Sequence, residues 1–376
     1  MYKAISFDKE TKLLRKFVKL EFEMYKDDSD WVPPLIGDTI SMLKGKNNPL
    51  FDNGPHMCFL VLKGEQVVAR VLAGVDNELN KAKGIKQGYF SMFECSDDAQ
   101  ACKVLMDAAC KWLNDIGMDS VIGPISPCNG DDRKGFLVWG QGMPVLLNAY
   151  TKDYYPRLIL EYGFTKNENH RAYSMKPPQA AIERHIKVSE YARKKYGYSV
   201  DRLNVRKIVD ESKDIKEILD HSVPDNWDYL NTPSLEAVIQ EFKTLKQFYN
   251  GYYTFIARKK GKPIGFMVAL PDYNQVLKRM NGRLLPIGWL KYLYYKRKIT
   301  GARALVQMVD NKYHNLGVNH AMFTEFYKDW IKTGLEYVEA SCVDEGNLPS
   351  INSTERSGGV HYRTYRTYKH DLKKAE

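Results

Sequence analysis

The feature that most restricts how this 376-residue chain can fold is an internal repeat. Residues 59–73 and residues 255–270 each contain an apolar run, a charged turn that ends in glycine, and a second apolar run. This pattern is typical of a β-hairpin. The turn glycines, Gly64 and Gly261, lie 261 − 64 = 197 residues apart. Since a domain takes roughly 100–200 residues, the repeat predicts two similar domains in tandem.

Each half of the sequence then continues in the same way. Apolar residues at helical spacing predict helices over residues 98–114 and 319–333, and a glycine and a short strand follow each of them. A further helix, a glycine and a last strand close both halves. The order helix, hairpin, strand, helix, strand, helix, strand predicts a mixed sheet of six or seven strands flanked by helices.

Two segments lie outside the repeat. Residues 123–144 are rich in glycine and proline, which predicts a long loop or an extra hairpin. Residues 177–200 begin with proline, continue as an amphipathic helix and reach a glycine near their end, which predicts a linker helix. The predicted domains are therefore residues 1–178 and residues 201–376, joined by residues 179–200.

Composition excludes several classes of protein. Hydrophobic residues make up 44% and charged residues 27%, which excludes a disordered or collagen-like chain. No apolar run approaches the roughly 20 residues that cross a bilayer, so we predict no membrane span. The first residues lack an apolar signal core, and the six cysteines form no C-x-x-C pair. Together these features predict a cytoplasmic protein with free thiols. The dispersed histidines predict no metal site.

Charge is distributed unevenly between the halves. Residues 1–178 carry 23 basic and 23 acidic side chains, whereas residues 179–376 carry 33 and 23, the whole net charge of +10. A basic second half predicts that any anionic ligand binds there. A lysine-rich solvated surface is the alternative. No zinc-finger or RNA-binding signature is present, so nucleic acid is not the predicted partner.

The element order and one motif of the second half resemble the acetyltransferase superfamily known as GNAT. In that family a strand leads into a turn of the form Arg/Gln-x-x-Gly-x-Gly/Ala that opens a helix. Residues 314–319, His-Asn-Leu-Gly-Val-Asn, resemble this turn, although His314 and Asn319 depart from the pattern. The resemblance implies an α+β (mixed α/β) protein with two tandem GNAT-like domains, each a mixed, largely antiparallel sheet flanked by helices.

Backbone N–H groups at such a helix start form a nest that binds the pyrophosphate of coenzyme A. The cofactor implied by the resemblance is therefore acetyl-CoA or another acyl-CoA, bound in the second domain. The strand before the turn would bind the thioester carbonyl. The predicted cofactor-binding residues are Met308, Val309, His314, Asn315, Leu316, Gly317, Val318, Asn319 and Asn347. A Gly317→Trp substitution is expected to block this site without unfolding the protein.

Acyl transfer to an amine also needs a group that removes the amine proton. The candidates are the carboxylates at the end of the following strand, Glu339, Asp344 and Glu345, with His314 and His361 behind them, and Glu339 and Glu345 are selected as the catalytic residues. Many family members protonate the thiolate with a tyrosine, whose place here holds Thr354. We predict that a tyrosine of the last strand substitutes for it, and we select Tyr365 from Tyr362, Tyr365 and Tyr368; the alternative is ordinary packing.

The first half resembles a narrower group of bacterial proteins described as GNAT-like N-acetyltransferases. The similar motifs include DWVPPL (30–35), GYFSMFE (88–94), VIGPISP (121–127) and YYPRLILEYGF (154–164). Here the strand runs into its helix through Asp97 and Asp98 without a glycine turn. Acidic residues suit a helix N-cap and repel a phosphate. The first half is therefore predicted to have a degenerate cofactor site.

The predicted function is acyl-CoA-dependent N-acyl transfer, with acetyl transfer to a small-molecule or peptide amine as the first expectation. One alternative is an aminoacyl-tRNA-dependent transferase, which also has two GNAT-like halves. Another is a non-catalytic ligand-binding protein of the same fold. The aromatic and basic stretch WLKYLYYKRK (289–298) fits either an amphipathic surface for membrane, nucleic acid or acyl chain, or a half-buried helix, and the half-buried helix is the favoured prediction.

Overall fold

The computed structural model describes residues 1–46, 48–128, 133–222 and 232–372. The chain forms two compact units. Unit 1 comprises Met1–Arg171, Asn274–Arg297 and Arg363–Glu376, and unit 2 comprises Ala172–Tyr273 and Lys298–Tyr362. Two pieces of the second half of the sequence thus pack within unit 1. The predicted domains, residues 1–178 and 201–376, stay a prediction.

Both halves of the chain contain helices and strands in a mixed order. In chain order the elements are β1 (Tyr2–Phe7), α1 (Thr11–Met24), α2 (Ile36–Leu43), α3 (Pro49–Asp52), β2 (His56–Lys63), β3 (Gln66–Val75), α4 (Asn77–Lys83), β4 (Gln87–Cys95), α5 (Ala99–Asp115), β5 (Ser120–Gly123), β6 (Phe136–Trp139), α6 (Tyr155–Tyr162), β7 (Thr165–Met175), α7 (Gln179–Tyr196), β8 (Ser199–Arg202), α8 (Ile208–Ser222), α9 (Leu235–Leu245), β9 (Thr254–Lys259), β10 (Lys262–Pro271), α10 (Asn274–Met280), α11 (Gly288–Tyr295), β11 (Gly301–Val309), α12 (Val318–Thr333), β12 (Tyr337–Asp344), α13 (Leu348–Arg356) and β13 (Gly359–Asp371).

Unit 1 is built on a mixed sheet. Strands β1, β2, β3 and β4 are antiparallel neighbours, and β5 runs parallel to β4. The end of β13 pairs antiparallel with β5 and also with β6. Helix α5 packs on one face of the sheet and α1 on the other. Strand β6 lies in the segment predicted as a loop or hairpin, of which residues 129–132 lie outside the described residues.

Unit 2 repeats this arrangement. Strands β8, β9, β10 and β11 are antiparallel neighbours, and β12 runs parallel to β11. Helix α12, with α7 packed against it, covers one face, and α8 with α9 covers the other. The prediction of mixed, largely antiparallel sheets flanked by helices is confirmed.

Turn chemistry explains why the two hairpins form where the sequence predicts them. Gly64 between β2 and β3 has φ 65°, and Gly261 between β9 and β10 has φ 79°. Glycine adopts these left-handed angles without steric cost. Among the residues that the structure describes, no helix is both long enough and apolar enough to cross a membrane.

Candidate functional site

Strands β11 and β12 of unit 2 separate partway along their length. Residues 301–304 pair with residues 337–340, although β11 continues to Val309 and β12 to Asp344. The partner strand β10 shows why the two strands part. Val268 pairs with Val306 and Ala269 with Ala304, so Leu305 is an extra residue that bulges out of β11. A bulge bends its strand and redirects its backbone groups. Beyond residues 304 and 340 the two parallel strands no longer pair, and the gap between their unpaired ends is here called the cleft.

Helix α12 begins beside the end of β11 with an N-terminus suited to an anion. Its N-cap residue is Gly317, so no side chain caps the first N–H groups, and no acidic residue lies in the first turn. Helix α5 of unit 1 is the opposite case. The Asp98 carboxylate accepts hydrogen bonds from the N–H groups of Gln100 and Ala101, both at 3.1 Å. The predicted N-cap role of Asp98 is confirmed. Of these two helices, only α12 begins without a side-chain cap, so its first N–H groups are the ones suited to bind an anion.

The predicted cofactor residues around this turn have defined contacts. The Nε2 atom of His314 lies 2.9 Å from the Val309 carbonyl oxygen, which ties the turn to the end of β11. The Tyr198 hydroxyl donates to the Leu316 carbonyl at 3.2 Å. Asn315 has φ 62°, a left-handed angle that asparagine tolerates. Met308 is paired with β10, and Val318 is buried. The exposed side chain of Asn319 lies in the first turn of α12.

Two predicted residues have structural contacts that the sequence did not suggest. The Asn347 side chain caps α13 by accepting a hydrogen bond from the Ser350 N–H at 3.1 Å. Gly317 has φ 74°, and a Cβ there would lie 2.8 Å from the Ala192 Cβ on α7. A tryptophan at this position would push α7 away from α12. The expectation that Gly317→Trp leaves the fold intact is therefore corrected.

Glu339 on β12 is the centre of a buried polar cluster. Its carboxylate accepts a hydrogen bond from the Ser341 hydroxyl at 2.5 Å and another from the Tyr362 hydroxyl. The Arg303 guanidinium donates to the Ser341 carbonyl at 3.2 and 3.3 Å. Glu339, Ser341 and Arg303 are all buried, whereas Tyr362 is half-buried. Glu339 is a predicted catalytic residue, whereas its hydrogen-bond partners could not be predicted from the sequence.

The cluster lies on the sheet face opposite α12. Ala302, Val338 and Ala340 contact the core under α12. Because side chains alternate along a strand, Arg303 and Glu339 point to the other face. Arg303 is directly opposite Glu339 in the strand register. An arginine beside a carboxylate compensates the charge that burial would otherwise make costly.

The other predicted catalytic residues lie elsewhere. Glu345 is partly exposed and follows the last residue of β12. Tyr365 is buried in unit 1, where its backbone pairs with Leu137 on β6. Tyr362, which the sequence offered only as an alternative to Tyr365, donates its hydroxyl to the Glu339 carboxylate.

A second buried charged cluster, which the sequence did not predict, lies in unit 1. Arg70 on β3 donates to the Glu21 carboxylate at 3.0 Å and lies 3.7 Å from Glu94 on β4. The Tyr155 hydroxyl donates to Glu94 at 2.5 Å. Burial raises the pKa of Glu94 to about 7, against the lowering influence of Arg70. No local pattern in the sequence distinguishes these residues from surface charges.

A pair of histidines joins α7 to the first turn of α12. His185 Nδ1 and His320 Nδ1 are 2.8 Å apart, and His185 Nε2 lies 3.2 Å from the Ser357 hydroxyl. Burial lowers the pKa of His185 to about 4, helped by His320 and Arg184. Burial also lowers the pKa of His320, with Arg184 adding to it. Both rings are therefore neutral at pH 7.

This pair is expected to make the protein lose stability in mild acid. The unfolded chain binds protons to these histidines below about pH 6.5, whereas folded His185 resists protonation down to about pH 4. Stability from His185 is therefore complete above pH 6.5 and is lost as the pH falls toward 4. His185→Gln is expected to weaken this acid-induced drop in Tm, measured between pH 7.5 and pH 5.

His370→Gln in unit 1 is the control, because the His370 ring contacts the Gly163 carbonyl and lies outside this pair. The control variant is expected to keep the acid-induced drop in full. An unchanged drop in His185→Gln would show that other groups cause it.

The segment around α11 differs from the favoured sequence prediction. Trp289, Leu290, Leu293 and Tyr294 on this helix are exposed, as are Leu284, Leu285 and Ile287 just before it. The prediction of a half-buried helix was wrong for most of this helix. Helix α11 makes its main contacts with α10 and not with a sheet, so one side of the helix is exposed.

Comparisons with known proteins identify two relatives over nearly the whole chain. A protein described as bacterial ceramide synthase, from Caulobacter vibrioides (strain NA1000 / CB15N), is 28% identical over 373 residues, which cover 96% of this chain and 95% of the relative. Protein YghO from Escherichia coli (strain K12) is 27% identical over 96% of this chain and 93% of its own. No protein-family model matches the sequence.

Solved structures agree on the fold. A tandem GNAT protein from the clavulanic acid biosynthesis pathway covers the whole of both chains with a TM-score of 0.60 at 10% identity. A GCN5-related N-acetyltransferase from Sphaerobacter thermophilus covers 98% of this chain and 96% of its own, with a TM-score of 0.55 at 10% identity. At such low identity the likeness concerns the fold alone. The protein is thus a mixed α/β chain with the tandem GNAT fold.

Proposed function

We propose that the protein is an N-acyltransferase that moves an acyl group from coenzyme A to an amine and so forms an amide. The observation that carries this proposal is the cleft where β11 and β12 separate at Leu305. Helix α12, whose start has no side-chain cap, is the helix that follows β11 along the chain. A thioester with a long phosphorylated tail fits such a site, because one end needs N–H donors in a cleft and the other needs an anion-binding helix start.

The residues present fit the two ends of acyl-CoA. The first-turn N–H groups of α12 would hold the pyrophosphate. Backbone N–H groups of β11 near the Leu305 bulge would hold the thioester carbonyl, a position slightly before the predicted Met308 and Val309. The first residue of the turn, His314, is fixed by its contact with the Val309 carbonyl oxygen. Bound acyl-CoA would supply an acyl group that is already activated for transfer.

The chain itself would supply the proton transfers. The amine must lose a proton as its nitrogen bonds to the acyl carbon, and the thiolate must gain one as the carbon–sulfur bond breaks. We assign this exchange to the Tyr362 hydroxyl, which is half-buried and donates to Glu339. Glu339, held by Ser341 beside Arg303, would be a positioning residue that keeps the Tyr362 hydroxyl in place.

The full-length relative points to the class of acceptor. Ceramide is an amide of a fatty acid and a long-chain amino alcohol, so a protein described as a ceramide synthase forms an amide on a lipid amine. We propose a lipid amine as the acceptor and a long-chain acyl-CoA as the donor. Acetyl transfer to a small-molecule or peptide amine is the alternative. An acyl-transfer assay that compares these donors and acceptors separates the two.

The first test is acyl-CoA binding by calorimetry with the variant Asn319→Asp. A carboxylate in the first turn of a helix is compatible with the helix, because it complements the dipole. It would, however, repel a pyrophosphate bound to the same N–H groups. We expect binding of acyl-CoA to weaken by about tenfold, the effect of one repulsive charge contact near the protein surface.

Asn77→Asp provides a matched control, since Asn77 is an exposed residue at the first position of α4 in unit 1. This control is expected to bind acyl-CoA like the unmodified protein. Equal binding by Asn319→Asp would place the phosphate elsewhere. Failure of the unmodified protein to bind any acyl-CoA would overturn the proposed donor and favour a tRNA-dependent or non-catalytic role.

A further inference from the structure

Residues 283–298, here called the 283–298 surface, form an unusually apolar exposed surface among the described residues. Nearly all of its large apolar side chains are exposed, with Leu285 at 72% and Leu290 at 50%. A soluble protein rarely exposes so many adjacent apolar side chains without a partner. The full set of exposed apolar residues in this segment is Leu284, Leu285, Ile287, Trp289, Leu290, Leu293 and Tyr294.

The base of this segment is firmly attached within unit 1. Val276 and Met280 of α10 are buried. A Cβ on Gly282 would lie 2.6 Å from the Phe22 ring of α1, and the Gly282 carbonyl accepts a hydrogen bond from the Ile36 N–H at 3.1 Å. The exposed apolar residues therefore follow directly after a fixed point, so they do not belong to a loose chain end.

The charge around the surface indicates what covers it. Residues 273–309 contain no aspartate or glutamate. The basic residues in this range outside the buried Arg303 are Lys278, Arg279, Arg283, Lys291, Lys296, Arg297 and Lys298. Aromatic side chains lie among them, with Lys296 over the Tyr292 ring and Arg279 over the Tyr295 ring. A helix that lies in the surface of an anionic bilayer typically has this composition, with leucine and tryptophan flanked by lysine and arginine.

We propose that the 283–298 surface binds the surface of an anionic phospholipid bilayer. Its leucines and Trp289 would enter the boundary between headgroups and acyl chains, and the basic side chains would contact lipid phosphates. Helix α11, Gly288–Tyr295, is far shorter than a membrane span. It therefore lies on the bilayer and does not cross it. This inference is independent of the proposed acyl transfer, since it needs neither coenzyme A nor an amine.

Co-sedimentation with vesicles tests the proposal on the full chain. Vesicles of phosphatidylcholine mixed with phosphatidylglycerol are expected to bind the protein, and pure phosphatidylcholine vesicles to bind it more weakly. The double variant Leu285→Glu with Leu290→Glu is expected to weaken binding roughly a hundredfold or more. Both positions are exposed, so the substitutions leave the core intact.

A second double variant controls for adding two charges to exposed apolar positions. Ile331 and Leu160 are 73% and 47% exposed, nearly the same as Leu285 and Leu290. Ile331→Glu with Leu160→Glu is expected to bind the vesicles like the unmodified protein. Replacing Lys296 and Arg297 with glutamine is expected to weaken binding roughly fivefold for each residue, with the difference disappearing at high salt.

Four results would overturn the proposal. The unmodified protein fails to bind anionic vesicles, or both double-glutamate variants bind equally well. Alternatively, light scattering shows a dimer that only the Leu285→Glu and Leu290→Glu variant disrupts, which would make the surface an interface with a second copy. Preferential binding to RNA that depends on the same leucines and lysines would likewise assign the surface to a nucleic acid.

Discussion

Replacing Tyr362 by phenylalanine is expected to lower kcat for acyl transfer by about a hundredfold or more, with little change in the KM for acyl-CoA. The Tyr362 hydroxyl donates to the buried Glu339 carboxylate, and a positioned proton donor contributes typically 10²–10⁴-fold to rate. Phenylalanine removes the hydroxyl and keeps the ring, so the packing of unit 2 is retained. The measurement is steady-state kinetics with long-chain acyl-CoA and a lipid amine, after the acceptor has been established.

Glu339→Gln separates positioning from catalysis. Glutamine still accepts a hydrogen bond from Tyr362 and from Ser341, so a smaller loss in kcat and an altered pH profile are expected. Tyr365→Phe is the matched control, because it removes a tyrosine hydroxyl three residues away in unit 1. If Tyr365→Phe reduces kcat and Tyr362→Phe does not, the sequence prediction of Tyr365 is correct and the Tyr362 assignment is wrong.

The parts of the fold that the sequence predicted are those set by local chemistry. The hairpins around Gly64 and Gly261 follow from turns that only glycine adopts easily. The predicted helix over residues 319–333 begins at Val318 and ends at Thr333, because its apolar spacing and its glycine stop are both local signals. The predicted cap at Asp98 has the same origin.

The rest depends on contacts between distant residues. The Leu305 bulge shows itself only in the pairing between β10 and β11. Hydrophobicity indicates that residues 289–298 form a helix, but whether a helix is covered depends on what packs against it. The proposal of Tyr362 in place of Tyr365 likewise rests on the position of Glu339. Such features come from tertiary structure, which propensity and spacing do not encode.

Replacing Arg70 by methionine is expected to lower the free energy of unfolding by about 3–5 kcal/mol, the usual cost of removing one partner of a buried charge cluster. Arg70 is fully buried and donates to the Phe17 carbonyl at 2.6 Å as well as to Glu21. Methionine fills a similar volume without the charge. Two buried carboxyl groups, Glu21 and Glu94, then lose the cation between them. Urea unfolding at pH 8 measures the loss.

The pH dependence of that loss distinguishes electrostatics from packing. The pKa of Glu94 is already raised to about 7 in the native protein, above its usual value of about 4.3. A carboxyl with a raised native pKa favours folding while it is protonated, and this contribution declines as the pH rises through 7. Without Arg70 the ionised form of Glu94 is disfavoured further, so the variant is expected to lose less stability at pH 5 than at pH 8.

Arg157→Met, which removes an exposed arginine paired with Glu161, is expected to leave Tm unchanged at both pH values. An equal loss at pH 5 and pH 8 in Arg70→Met would mean that the methionine side chain fits the site poorly, and that the charge of Arg70 is not what unit 1 requires.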